Sequence, residues 1–245
     1  MSGSTLTNLT AVTTPASTDL TYIVQGGKDY KATAAQVVAG GVTGAGTNST
    51  TIGNDTNPAG ENAVTVGYSA QATGYTSTAI GAYARALSVA ATAVGASSIA
   101  QNGGQALGYG SEATKTSTAA IGQHAQALAT NSTALGYNSV STGAGSIALG
   151  QNCSSSGVAS IAAGNIAVAS ATNSIAIGYK SQATASGSVA IGNNLVNNTA
   201  NSLALNFGVA GDIMICTAAN IWTRLPKGTD GQFLKMVSGS PAWSA

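Results

Sequence analysis

Side-chain catalysis needs ionisable groups that converge, and this chain of 245 residues has few: one histidine, two cysteines, seven acidic and eight basic side chains. The histidine, His124, stands two residues after Gly122 in AAIGQHAQA, where the composition reads as a solvated turn. A lone histidine excludes an HxH metal ladder within one chain, and three symmetry copies of a turn residue would lie away from a shared axis. Glycan hydrolysis needs two carboxyl groups a few ångströms apart. Between residues 49 and 206 the only carboxylates are Asp55, Glu61 and Glu112. Asp55 and Glu61, in neighbouring stretches, could approach each other or stand as solvated turn residues. Cys153 falls where related segments carry Ala or Ser and reads as a buried substitute for them, and Cys216 lies in a different segment. Two cysteines support no disulfide framework. Fragments such as GGQALGYG lack the lysine of a phosphate-binding loop. The expectation is a protein with no catalytic site, no metal site and no cofactor.

Recognition chemistry is better supplied. Tyr68, Tyr109, Tyr137 and Tyr179 each follow a glycine and would form a broken aromatic ladder, either as packing between turns or as a strip that contacts a glycan or protein. Both tryptophans, Trp222 and Trp243, gather near Arg224 and Lys227. Trp, Tyr and Arg dominate binding surfaces, so these four are candidate receptor contacts, with the core of a small C-terminal unit as the other role for the tryptophans.

The elements that position these side chains follow from a repeat. A glycine closes a short apolar tetrapeptide eleven times, as TTIG, VTVG, TAIG and so on: Gly53, Gly67, Gly81, Gly95, Gly108, Gly122, Gly136, Gly150, Gly164, Gly178 and Gly192. Nine of the ten intervals are 14 residues and one is 13; a further 14 reaches Asn206. A period this short is one supersecondary turn that cannot bury its own apolar face. Fourteen residues suffice for two strands and two tight turns, and Ala, Val, Ile, Ser and Thr fill the strand positions with Gly and Asn at the turns. The period thus predicts a parallel β-roll of about twelve coils over residues 49–206.

The residue before each glycine is aliphatic (Ile52, Val66, Ile80, Val94, Leu107, Ile121, Leu135, Leu149, Ile177, Ile191 and Leu205), with Ala163 the exception. Two before glycine stands Ala in almost every coil, and three and five after it Ala or Ser. Alternation puts the aliphatic and small residues on opposite faces of the strand. The narrow space between two short walls fits the small residues at normal packing density, so the aliphatic column faces outward. Leaving such a column in water forfeits about 1.5 to 3 kcal/mol per side chain and creates a stripe that monomers avoid. Copies of the rod around an axis cover it most simply, which predicts a cyclic homo-oligomer with the column at its axis. Each glycine serves a tight turn that needs positive φ, and the short interval from Gly95 to Gly108 contains Gly103 and Gly104, which allow a tighter one.

Segments such as NSIAIGYKSQATASGSVAIG (173–192) and GSIALGQNCSSSG (145–157) resemble the head repeat of trimeric autotransporter adhesins, the YadA-like head. The resemblance implies a left-handed roll in a homotrimer; handedness and the number three come from it alone.

Residues 1–40 form a separate unit: DLTYIVQ and DYKAT read as a hairpin around Gly26 and Gly27, and Thr33 would cap a short helix AAQVVA. Residues 41–48 are a glycine-rich linker. Residues 207–245 form a C-terminal β module in which Asp230 and Gly231 suit a hairpin turn, and which would cap the open last coil. Both flanking pieces are similar to modules of phage tail and fibre proteins. Only 6% of residues are charged, with a net charge of +1, which leaves no electrostatic footprint for nucleic acid. The first residues, MSGSTLTNLT, lack the charged and apolar regions of a secretory leader, so none is expected, and no apolar run is long enough to span a membrane as a helix. These features together lead to the expectation of a phage virion fibre, made in the host cytoplasm. It would be a homotrimeric rod that joins other virion proteins through residues 1–40 and touches a host glycan or protein. A capsid or tail decoration protein and a bacterial adhesin head are the rival expectations.

Overall fold

A computed structural model describes residues 20–25, 28–33, 46–53, 55–205, 212–218 and 221–244, and is all-β over them. The repeat folds into a parallel β-solenoid with two walls. One wall is a sheet of twelve short strands, from Thr50–Ile52 to Leu203–Leu205, each but the last ending at the residue before a repeat glycine. The other has ten two-residue strands, from Gln71–Ala72 to Val196–Asn197, extended by a single bridge from Asn57 to Gln71. That makes eleven complete coils and one last strand. Neighbouring strands pair in strict register, Ala106 with Ala120 and Leu107 with Ile121, so each column along the rod holds one repeat position.

Four small residues per coil point inward: three and five after the glycine, and four and two before the next. They carry Ala or Ser in most coils and are fully buried, as at Ala125, Ala127, Ser132 and Ala134. Beyond the first coil the inward serines do not strand their hydroxyls. Ser77 donates to the Gly74 carbonyl at 2.6 Å, Ser111 to that of Gly108 at 2.9 Å and Ser160 to that of Gly157 at 2.7 Å. Cys153 occupies the same column, with Sγ 3.0 Å from the Gly150 carbonyl oxygen. The first coils differ: Thr51 and Thr65 replace the inward Ala, and their hydroxyls, like that of the inward Ser49, are buried without a hydrogen-bond partner. At the far end Asn197 takes the place of an inward Ala, donating to the carbonyls of Val189 and Ser202 at 2.9 and 3.0 Å.

Each repeat glycine has φ between +120° and +157°, open to glycine but not to residues with a Cβ. At Gly122 a Cβ would also sit 2.5 Å from the Gly136 carbonyl oxygen of the next coil. The turn contains a second special position that the sequence reading did not identify. The residue two after the glycine is left-handed, and so is the residue nine after it in the full-length coils; Asn138, Asn152, Asn173 and Asn201 suit such positions, but Tyr83, Ala90, His124 and Ile166 also take them. In the short coil, Asn102 and Gly103 are left-handed in succession, the tighter turn expected there.

Outside the solenoid, Leu20–Gln25 pairs antiparallel with Lys28–Thr33, giving the N-terminal hairpin. Its Gly26–Gly27 connection, the segment AAQVVA, residues 41–45 of the linker and Asn206 lie outside the described residues. Ile213–Ala218 pairs with Ile221–Leu225, and Leu234–Val237 with Ser240–Trp243. The hairpin turn of the second pair is Ser238–Gly239, both at positive φ, and not Asp230–Gly231. The latter forms a turn closed by the Gln232 amide on the Thr229 carbonyl at 3.1 Å, between two strands that do not pair with each other.

Candidate interaction surfaces of the rod

The strand before each repeat glycine is three residues long with its middle residue inward, so the residues on either side both face out. One of these outward columns is the aliphatic one. Within a single chain its members are half-exposed, Ile121 among the better covered and Leu149 at 45%. The sequence reading missed the second column, three before the glycine. In the N-terminal half it carries Thr50, Val64, Thr78, Thr92, Gln105, Ala119 and Thr133, with Val64 its one branched aliphatic residue; from Ile147 it turns aliphatic, through Ile161, Ile175, Val189 and Leu203. The first wall thus presents one apolar column along its first half and two along its second. Outward alternation in a strand of three makes this column visible in the sequence once the strand length is known.

The glycine turn brings a different chemistry to the adjoining edge. Tyr68, Tyr109, Tyr137 and Tyr179 stand directly after their glycines and are exposed, and Tyr83 joins them from the left-handed position. Tyr68 meets Tyr83 of the next coil edge to face at 5.4 Å, and Tyr109 meets His124 likewise at 5.1 Å. The Lys180 ammonium lies 5.1 Å from the centre of the Tyr179 ring. Carboxamides fill much of the rest of the edge and pair between coils: Asn138 donates to Asn152 at 3.0 Å and Asn165 to Gln151 at 2.9 Å. His124 is therefore a turn residue packed on a ring.

Of the other ionisable groups in the rod, Glu112 accepts from the Gln126 amide at 3.3 Å, and Cys153 is a buried free thiol whose pKa burial pushes up to about 11. Among the described residues no three His, Cys, Asp or Glu side chains come together as a metal-binding group. In the C-terminal unit, Arg224 is ion-paired through Nε to Asp212, whose other carboxylate oxygen accepts the Lys227 amide at 2.7 Å. The Trp243 indole donates to the Pro226 carbonyl, and its ring packs so close to Gly228 that a Cβ there would clash. Arg224 thus braces its own hairpin, Trp243 holds the second hairpin to the segment that follows the first, the Lys227 side chain is exposed, and the Trp222 side chain lies outside the described residues. The most exposed large apolar residues of this unit, Phe233 at 77% and Met236 at 65%, were not among the candidates.

The rod carries repeats of a known kind. Residues 59–84, 127–152, 155–181 and 169–194 match the family model described as the YadA head domain repeat. Among solved structures, the chain is similar to the collagen-binding domain of the Yersinia adhesin YadA, with 29% identity over 66% of this chain and 79% of that one, at a TM-score of 0.42. No curated protein matches.

Proposed function

We propose that this chain is a non-enzymatic attachment rod: a homotrimer of left-handed β-rolls, closed around the aliphatic column, that serves as a phage virion fibre and mediates or supports host attachment. The observation that carries the reading is the outward aliphatic column from Ile52 to Leu205, interrupted only at Ala163, on a rod of YadA-head repeats. It is too long and too apolar to stay in water, and a three-fold arrangement of identical rods buries every copy of it equally. The similarity of residues 1–40 and 207–245 to phage fibre modules favours the virion, with the N-terminal unit joining other virion proteins. The repeat match favours a second reading, the head of a bacterial cell-surface adhesin.

Three measurements test this. Multi-angle light scattering on the purified chain should give three times the chain mass; a monomer overturns the trimer. Labelled protein should coat bacterial cells and compete with infection, and antibody raised against it should decorate virions. Decoration of a bacterial surface instead selects the adhesin reading, and virion decoration without cell binding selects a structural decoration protein.

A further inference from the structure

The rod has six tyrosines, and only Tyr75 belongs to the turn edge opposite the repeat glycines. The other five share one edge, each about half exposed, from 44% at Tyr179 to 53% at Tyr83 and Tyr109. Tyrosines that serve only packing bury their rings; these expose them in a row. Coils rise about 4.8 Å each, so rings recur along the rod at small multiples of that distance. The orientation of three of them is set before any ligand arrives, because Tyr68 and Tyr83 brace each other edge to face and His124 braces Tyr109. Gly110 makes room for the second contact, since a Cβ there would lie 2.7 Å from His124 Nδ1.

We propose that this edge binds a neutral glycan chain laid along the rod, with pyranose rings resting on the tyrosines and their hydroxyls bonded by the intervening carboxamides. The inference rests on the reading of the chain as an attachment rod and supplies its partner and site. A sugar ring offers an apolar C–H face bordered by hydroxyls that both donate and accept. An aromatic face matches the first, and Asn or Gln, carrying a donor and an acceptor in one group, matches the second. The exposed carboxamides at Asn138, Gln151 and Asn152 lie in the coils between Tyr137 and Tyr179. Charge argues against other polymers: after Asp55 the only charged residue on this edge is Lys180, with His124 the other titratable base, far from what a phosphate backbone needs. A protein partner would need a contiguous patch of about 800 Å² with an apolar centre, whereas here the rings stand at intervals along one narrow edge, with Ala96 and Ser97 between Tyr83 and Tyr109 and carboxamides between Tyr137 and Tyr179.

The test uses the full chain on an array of neutral and acidic glycans, with a triple-helical Gly-Pro-Hyp peptide as the protein probe. Wild-type protein should bind a subset of the neutral glycans. The double variant Tyr109→Ala/Tyr137→Ala should weaken that binding roughly thirtyfold or more, the usual effect of losing dominant aromatic contacts. Tyr137→Phe should keep most of it, since the ring face remains. Light scattering should show the same oligomer for all. No neutral glycan bound, unchanged binding by the double variant, or tyrosine-dependent binding of the peptide alone each overturns the inference. So does dissociation of the double variant, which would make the edge a contact between copies. Cell binding by wild-type protein that binds no glycan would leave the attachment rod standing and remove only this edge.

Discussion

At the repeat glycine two constraints coincide, a positive φ and a backbone carbonyl one coil away where Cβ would be. Gly122→Val should therefore destabilise the roll by about 2 kcal/mol or more, while Thr114→Val, on an outward position, should stay within about 0.5 kcal/mol. Thermal melts of the two variants check the order. Cys153 offers a titration. Its thiol is raised from an unfolded value of 9.0 to about 11 by burial, so the neutral form is the one the fold favours. Its contribution should be intact below pH 9 and fade as pH rises towards 11. Denaturation midpoints followed from pH 8 to 11 should decline less steeply in Cys153→Ala, and the native thiol should resist alkylation at pH 8. The glycines were legible because nothing else takes their backbone freely. The left-handed residues were not, because tertiary bonds impose that conformation on whatever residue is there: the amides of His124 and Ile166 bond to the Tyr109 and Gln151 carbonyls of the previous coil at 2.8 and 2.9 Å.

A three-residue strand with a small inward centre and two outward flanks is the unit that the period repeats. Its alternation was readable without the structure, since a one-residue slip would send Ile and Leu into a space that admits only Ala and Ser. Strand length was harder to read, and with it the second outward column from Ile147 to Leu203. The C-terminal hairpin was misplaced for a related reason: an Asp-Gly pair is a strong turn signal, but Asp230–Gly231 links strands that do not pair, and Ser238–Gly239 closes the hairpin. The inward column also shows which hydroxyls the unit tolerates. Past the first coil, serines at the turn-flanking positions such as Ser77 and Ser160 reach a carbonyl three residues back, but the hydroxyls of Thr51 and Thr65 at the strand centre have no partner. Thr65→Val should then remove a buried orphan at constant shape and raise stability by about 1 kcal/mol, measured by denaturant unfolding; a loss of that size would mean the hydroxyl has a partner.

For the whole molecule, the outward column decides whether the proposed trimer exists. Replacing Ile121 and Leu135 together by Asp would bury unpaired charge at three symmetric places. The scattering mass should fall to that of one chain, whereas Gln182→Asp, on the other wall, should leave it unchanged. Retention of the native mass in the double variant would remove the column from the axis. The parallel ladder has one more consequence, a mechanical one. The hydrogen bonds that join coils run along the rod, so a pull between its ends loads the inter-coil seams in series and they yield one at a time. A coil that yields releases fourteen residues, about 48 Å of extended chain, from a step that spanned about 4.8 Å. Under tension such a rod gives way in roughly tenfold extensions, coil by coil from a free end, and absorbs a jolt by lengthening instead of letting go.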